Sequence, residues 1–407
     1  MMQVPIVSQT ALNELAASLS PSVADDVKQA VKKWVTAKEQ GEKVVVITGS
    51  GPNLHEGVTT QLANMVAIGL VDGIITSSAV VGHELAGALE RVRRVSGAEL
   101  GYVAEHLPSD GRLEVALLSQ EKWNKLAQDT LLDFDLHQRM LSLTGPEIIK
   151  VAGNLAYPTG LWIERLSREF LPLAQTYGLP LEAVMGLGCD ARTMLGACAR
   201  RQVPCLVSVP QLVGGGQVGL SIGDSISISR RSTLIAELLA SAELIVESGV
   251  ALTQEIHDGP LDLFTGHGLW AHFDGRRTFS LKDKSIVRID LDGQIKKVWE
   301  LQRQQNLVAA TINQGKPKAL TMNVPFRMEM SGFARIPGSL PLTGDIGIIW
   351  PILASCVAQD LGQHLDFTCY KQGTPLGEEI RNYIADQVGA FDKVNALTLL
   401  RERKAWN

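Results

Sequence analysis

The sequence predicts an α/β protein whose parallel β-sheet has helices on both faces. Short apolar runs alternate with helical patterns up to about residue 250, and the runs end in Gly or Ser. This alternation is typical of βαβ units, and continuous apolar runs are typical of strands buried on both faces. Because such sheets bind ligands outside the carboxyl ends of their strands, the residues after each run are the first candidates for a site.

The composition of the 407 residues is that of an ordinary globular protein, with 45% hydrophobic and 20% charged residues. The net charge of -5 argues against the basic surface that nucleic-acid binding requires. The 5 cysteines include no CxxC pair, which predicts free thiols in a reducing compartment. The sequence shows neither a signal peptide nor an apolar run of about 18 residues. We therefore expect a cytoplasmic protein with no membrane or nucleic-acid partner.

The first predicted βαβ unit spans residues 44–84. Residues 44–48 form a β-branched run, residues 58–70 are apolar at helical spacing, and residues 73–77 form the next apolar run. Residues 49–53, rich in Gly and with an Asn, turn the chain after the first run. Both loops carry amides and hydroxyls suited to a phosphate or a ribose, although neither GxGxxG nor GxxxxGK[ST] is present. A loop that only turns the chain is the alternative.

Two further buried strands are predicted at residues 203–210 and 243–247. Three consecutive glycines at 214–216 follow the first of them, which indicates a close approach of the backbone to another group or a flexible surface loop. Ser248 and Gly249 follow the second. Parallel strands place their carboxyl ends at one edge, so we expect the strand ends near residues 48, 76, 210 and 247 to meet in one nucleotide-binding crevice.

The remaining segments complete a predicted division of the chain into residues 1–40, 41–272 and 273–407. The first is expected to be a helical segment, the second the nucleotide-binding domain, and the third a C-terminal α+β appendage. Residues 84–100 are expected to continue as a helix, because their apolar residues recur at helical spacing. Residues 285–292 alternate like an exposed strand.

Two polar groups are candidates for catalysis. A His-Glu pair follows the second strand, where it could orient or deprotonate a substrate, with a helix-capping pair as the alternative. The loop at 255–273 holds three His with Asp residues and could line a pocket, but no HxxxH or HExxH spacing is present and we predict no metal site. The candidate catalytic residues are His83, Glu84, His257, Asp258 and His272.

Five stretches have the motifs and the order of one known family: GSGPNLHEGV at 49–58, LVDGIITSSAVVGHEL at 70–85, VAGNLAYP at 151–158, VPCLVSVPQLVGGGQVG at 203–219 and IVESGV at 245–250. Together they resemble the deoxyhypusine synthase family. The resemblance implies a Rossmann-like core, NAD as the cofactor, and a homo-oligomer, tetramer or dimer, with sites between subunits.

Matched residue by residue, the resemblance carries over mainly the cofactor site. A Gly of the 214–215 pair stands where the family has an Asp, and His272 stands where the family has its catalytic lysine. A histidine cannot form the imine that a lysine forms. Combined with the loops above, the candidate cofactor-binding residues are Ser50, Gly51, Asn53, Leu54, Thr76, Ser77, Ser78, Gly214, Gly215, Glu247, Ser248 and Gly249.

The sequence thus predicts a deoxyhypusine synthase-like enzyme that binds NAD and acts on a small molecule, for which an acidic pocket would suit a cationic amine. It is not predicted to be a genuine deoxyhypusine synthase, because the reactive lysine has no match. Two alternatives stay open. One is a lyase or hydrolase that uses a metal or a His/Asp pair on the same scaffold, and the other is a catalytically inactive binding protein.

Overall fold

The computed structural model describes residues 3–49, 51–248, 261–262, 279–281, 283–290, 300, 310–311, 313–316 and 339–402. The strands of this part are β1 (Lys43–Thr48), β2 (Gly73–Thr76), β3 (Leu89–Ser96), β4 (Arg112–Ala116), β5 (Glu147–Val151), β6 (Cys205–Val207), β7 (Ala242–Ser248), β8 (Leu261–Asp262), β9 (Phe279–Ser280), β10 (Ser285–Asp290) and β11 (Leu340–Thr343).

The α-helices, numbered in chain order over the same residues, are α1 (Gln9–Ala17), α2 (Pro21–Glu39), α3 (Gly51–His55), α4 (Val58–Ala67), α5 (Ser78–Leu85), α6 (Gln120–Asp129), α7 (Phe134–Ser142), α8 (Thr159–Tyr177), α9 (Leu181–Gly186), α10 (Met194–Arg201), α11 (Gly216–Ser225), α12 (Ile228–Ala240), α13 (Ile346–Asp360), α14 (Pro375–Gln387) and α15 (Lys393–Glu402).

The main sheet of the described chain has six strands in the order β6-β2-β1-β7-β10-β11, and every neighbouring pair is parallel. Numbered along the chain, these strands have the order 3-2-1-4-5-6, which is that of the Rossmann fold. The predicted α/β fold is therefore confirmed. The strand order reverses between β1 and β7, and a crevice at such a switch point is where this fold binds its ligands.

Helices bury both faces of this sheet. Val44, Val46 and Ile74 lie in a core shared with α2, α4 and α13, whereas Val45 and Ile47 lie in a core shared with α12. Apolar residues at successive positions of β1 thus point to opposite cores, as expected for a strand without a solvent-facing side. The described residues include no helix with the length and apolarity that a membrane crossing would need.

The predicted helix at residues 84–100 is wrong after Leu85. Helix α5 ends at Leu85, and β3 follows as the centre of an antiparallel sheet, β4-β3-β5. Gly87 and Ala88 have positive φ angles of 101° and 65°, and so the chain turns out of the helix there. The spacing of the apolar residues fits both a helix and a strand. These residues form a strand because they pair with β4 and β5, which are distant in the sequence.

The exposed strand predicted at residues 285–292 is also wrong. Strand β10 is buried between β7 and β11, so residues after 273 complete the same sheet as β1. The C-terminal helices pack on that core as well, because Gln61 of α4 donates a hydrogen bond to the Trp350 carbonyl at 3.0 Å and accepts one from Cys369 N at 2.8 Å. The bounds of the three predicted segments stay a prediction.

Candidate functional site

The carboxyl ends of the four predicted strands lie side by side. Thr48 at the end of β1 pairs with Ser248 at the end of β7, and Thr76 at the end of β2 pairs with Val207 at the end of β6. Ser208, the next residue, donates its backbone N–H to the Thr76 carbonyl at 3.0 Å. The parallel sheet therefore brings the predicted strand ends to one edge, at the switch point.

Three buried hydroxyls along this edge have no hydrogen-bond partner in the described structure. They are the side-chain oxygens of Thr48, Thr76 and Ser208, and each of these residues is at most 1% exposed. Buried polar groups are nearly always paired, since an unmade hydrogen bond costs about 1–3 kcal/mol. These three hydroxyls are therefore available to bind a polar group that reaches the carboxyl edge.

Two of the predicted cofactor residues hold the carboxyl edge of the sheet together. The Ser248 hydroxyl donates to Asn53 Oδ1 at 3.0 Å and accepts from the Trp350 indole N–H at 3.0 Å. All three side chains are buried. This network ties the end of β7 to the loop after β1, so we assign Asn53 and Ser248 a positioning role. Leu54 lies in the apolar core, and Gly51 opens the short helix α3.

The serines after β2 are likewise occupied within the protein. The Ser77 side chain accepts a hydrogen bond from Val80 N at 3.2 Å and caps α5. The Ser78 hydroxyl faces two carbonyls, those of Gln211 at 2.5 Å and Leu212 at 2.7 Å. A Cβ on Gly215 would lie 2.7 Å from Ser78. The close approach predicted at Gly215 is therefore to α5, and Gly214 has open space beside it.

A cavity of about 450 Å³ lies along α5 and the Gly-rich turn. His83 lines it together with Glu164 of α8, Tyr157, and glycines 214 to 216. Asn154 lines the same cavity. Residues from the 151–158 and 203–219 motifs therefore lie beside His83 in one cavity. The cavity wall contains one carboxylate and, among the described residues, neither lysine nor arginine.

The His83 ring is held as a neutral base. Its Nδ1 lies 2.7 Å from the Ala152 carbonyl oxygen, which can only accept, so Nδ1 carries the proton and Nε2 is the acceptor. Burial lowers the pKa of His83, and the nearby Lys150 ammonium lowers it further. His83 is therefore able to take a proton from a molecule in the cavity at neutral pH.

Glu84 is placed differently from its neighbour. Its carboxylate is fully buried, and its two oxygens accept from Met194 N and Leu195 N, both at 2.9 Å. These amides begin α10, where a carboxylate is favoured by the helix dipole. Burial raises the pKa of Glu84 to about 7. Because both oxygens are used, the predicted catalytic role does not fit this position, and Glu84 caps α10.

Sequence reasoning missed a group of residues beside His83. His55, at the end of α3, has its pKa lowered to about 4 by burial, then by the charges of Arg381, His83 and Lys150. The Arg381 Nη2 lies 3.5 Å from His55 Nδ1. His55 belongs to the motif GSGPNLHEGV at 49–58 and follows the first loop. Its position was the sequence signal that could have identified it as a site residue.

Glu247 is buried at the end of β7, and neither of its carboxylate oxygens has a hydrogen-bond partner in the described structure. In the pairing of β7 with β10, Glu247 lies opposite Arg288. Asp290 follows Arg288 by two residues on β10. Burial raises the pKa of Glu247 to about 7, against the opposing charge of Arg288. Like the hydroxyls of Thr48, Thr76 and Ser208, its side chain has no exposed surface, and the predicted cofactor contact stays a prediction.

We expect Glu247→Gln to stabilise the protein only at high pH. Because the folded-state pKa lies above the unfolded value, wild-type stability is fully retained below pH 4.5 and falls as pH rises from there through about 7. Unfolding titrations should find the two proteins equally stable below about pH 4 and the variant roughly 1–3 kcal/mol more stable above about pH 8. A difference that does not change with pH would contradict this account.

Five of the predicted site residues, Ser50, Gly249, His257, Asp258 and His272, lie outside the described residues. Their predicted roles stay predictions. Within the described ranges, no group of three or more His, Cys, Asp or Glu side chains could hold a metal ion.

No protein-family model and no curated protein matches the chain. Several solved structures are similar to it. One is apo ArgZ, an arginine dihydrolase of the ornithine–ammonia cycle in cyanobacteria, with 13% sequence identity and a TM-score of 0.35. The match covers 82% of this chain and 31% of ArgZ. The ternary complex of AgrE with ornithine and NAD+ shows 12% sequence identity and a TM-score of 0.39. The match covers 87% of this chain and 34% of AgrE. A conserved putative LOR/SDH protein from Methanococcus maripaludis S2 shows 12% sequence identity and a TM-score of 0.39. The match covers 88% of this chain and 76% of that protein.

The chain thus spans about a third of the length of ArgZ and AgrE. At such low identities and TM-scores, no residue role is transferred from these proteins to this chain.

Proposed function

We propose that the chain is a deoxyhypusine synthase-like enzyme that binds NAD in the switch-point crevice and acts on a small cationic amine in the cavity beside His83. The unpaired buried hydroxyls of Thr48, Thr76 and Ser208 are the observation that carries the proposal. We further propose a homo-oligomer, from the resemblance of the sequence motifs, and a location in the cytoplasm, from the free cysteines.

The donors at the crevice fit a nucleotide that offers phosphate and ribose oxygens. The hydroxyls of Thr48 and Thr76 would donate to such oxygens, and the start of α5 lies directly after Thr76. No acidic residue follows β2, where many NAD-binding sheets place one for the ribose, since Ser77 and Ser78 stand there. When bound, NAD supplies an acceptor for a hydride.

The cavity beside His83 fits an amine. Glu164 supplies one negative charge in a wall that has no basic side chain among the described residues, which favours a cation. His83 Nε2 would accept a proton from the substrate ammonium. Loss of a hydride from the neighbouring carbon requires the neutral amine, whose lone pair stabilises the positive charge that develops there. A neutral His83 is therefore the group that this reaction needs.

Titration of NAD+ into the wild-type protein and a Thr76→Val variant tests the proposed cofactor site. Valine replaces an unpaired buried hydroxyl with a methyl group, so we expect the free protein to be as stable as wild type or more so. The loss of one hydrogen bond to NAD should raise the dissociation constant about 5–10-fold. Calorimetry and denaturant titration measure the two quantities.

Thr193→Val is the matched control, because the Thr193 hydroxyl is fully used. It accepts from Gly196 N at 3.0 Å and donates to the Asp190 carbonyl at 2.7 Å. This variant should lose about 1 kcal/mol of stability and keep its affinity for NAD. The proposal fails if wild-type protein does not bind NAD+, or if Thr76→Val behaves as Thr193→Val is expected to.

A further inference from the structure

One peptide group connects His83 to a second buried carboxyl. His83 Nδ1–H donates to the Ala152 carbonyl at 2.7 Å, and Gly153 N–H donates to Glu90 Oε1 at 2.8 Å. The Ala152 carbonyl and the Gly153 N–H belong to the same planar peptide. A chain of two hydrogen bonds therefore runs from the Glu90 carboxyl, through this peptide, to the imidazole.

The local structure fixes this arrangement. Glu90 on β3 pairs with Lys150 on β5. Ala152 N donates to the Ala88 carbonyl at 2.9 Å, so the hydrogen bonds between the two strands continue up to the Ala152–Gly153 peptide. Gly153 has a φ of 69°, and a Cβ there would lie 3.0 Å from the Ala86 side chain. Glycine is therefore needed for the backbone to aim its N–H at Glu90.

We propose that Glu90 is a positioning residue that raises the basicity of His83 through the Ala152–Gly153 peptide. An anion that accepts from the peptide N–H polarises the group and makes its carbonyl a stronger acceptor. A stronger acceptor at Nδ1–H stabilises the imidazolium that forms when Nε2 takes a proton. The inference rests on the proposed role of His83 as a proton acceptor.

Several charged groups surround this chain of hydrogen bonds. Lys150 lies close to both Glu90 and His83, and its ammonium is paired with Glu114. His55 faces His83 from α3, and Glu164 lines the same cavity from α8. Lys150 lowers the pKa of His83, so a negative charge that acts on the ring through the peptide offsets this effect.

The charge on Glu90 is expected to depend on pH in the neutral range. Glu90 is almost completely buried, and burial raises its pKa to about 7, although Gly153 N, Thr159 and Lys150 oppose the shift. Above that pH the carboxylate polarises the peptide, whereas below it the protonated carboxyl does so more weakly. The hydrogen bond from His83 to Ala152 should therefore strengthen as Glu90 ionises.

Nitrogen-15 and proton NMR of histidine-labelled protein tests the proposal, with His83→Asn used to assign the His83 signals. In Glu90→Gln the amide oxygen still accepts from Gly153 N–H but carries no charge. We expect the pKa of His83 to fall by about half to one unit in this variant. The Nδ1–H proton of wild type should move downfield as pH rises through about 7, and in Glu90→Gln that step should be absent.

Glu84→Gln is the control, because Glu84 is an equally buried carboxyl beside His83 whose hydrogen bonds go to α10 instead. It should keep the step in the Nδ1–H signal. An unchanged His83 in Glu90→Gln, or an equal change in both variants, would overturn the proposal. If Glu90→Gln does not fold, absence of the step in wild type overturns it. These spectra need neither NAD nor an amine, so a chain that binds no NAD could still show the effect.

Discussion

His83→Asn is expected to slow amine-dependent reduction of NAD+ by about 10²–10⁴-fold, the usual loss when a general base is removed. The Asn side chain can still donate from its amide to the Ala152 carbonyl, the partner of His83 Nδ1 at 2.7 Å. It has no counterpart of Nε2, so it cannot take a proton. The variant therefore separates the proton-acceptor role from the packing role.

The measurement is NAD+ reduction with a panel of small primary amines, followed by absorbance. NAD+ affinity should stay within about twofold of wild type, because His83 lies in the cavity along α5, whereas the hydroxyls proposed to bind NAD lie at the strand ends. His364→Asn is the control, since the His364 side chain is exposed and its Nε2 lies 3.9 Å from Asp366. Full activity in His83→Asn would remove the histidine from the mechanism.

Arg231→Leu is expected to destabilise the protein by about 3–5 kcal/mol, the usual cost of breaking a buried ion pair. Arg231 of α12 and Glu182 of α9 form an ion pair in which both side chains are 0% exposed. Arg231 also donates to the Ile222 carbonyl at 3.0 Å and the Val207 carbonyl at 3.2 Å. Without Arg231, the buried Glu182 carboxylate has no ion-pair partner among the described residues.

This ion pair also bears on the site, because Glu182 accepts from Val207 N at 2.9 Å, one residue before Ser208. Denaturant unfolding of Arg231→Leu and of Lys28→Met gives the comparison. Lys28 pairs with Asp25 at the surface, where the side chains are 77% and 68% exposed, so its loss should cost less than about 1 kcal/mol. Similar losses in the two variants would show that the buried network contributes little.

The strands of the main sheet could be predicted because their sequence signal is local. Residues 44–48 and 243–247 each hold at least three consecutive apolar residues and are followed by Gly or Ser, and they lie in β1 and β7, whose carboxyl ends are at one edge. Once the strands are known to be parallel, the position of the crevice follows from topology. Strand β10 lacked this signal, because its buried Arg288 and Asp290 make a core strand resemble an exposed one.

The role of each polar side chain could not be predicted, because it depends on partners far away in the sequence. Glu84 and Ser78 stand in a motif that suggests a ligand, yet their partners are the amides of α10 and the carbonyls before the Gly-rich turn. Glu90 was concealed by the expectation of a helix at 84–100. Its pairing with Lys150 exists only once β5 is in place.

A crystal structure of the protein with NAD+ and a small primary amine tests the central claim most directly. We expect the nucleotide across the carboxyl ends of β1, β2 and β7, with its oxygens at hydrogen-bonding distance from the hydroxyls of Thr48 and Thr76. The amine nitrogen should lie within reach of His83 Nε2. A nucleotide bound elsewhere, or these hydroxyls left without a ligand at saturating NAD+, would contradict the proposed function.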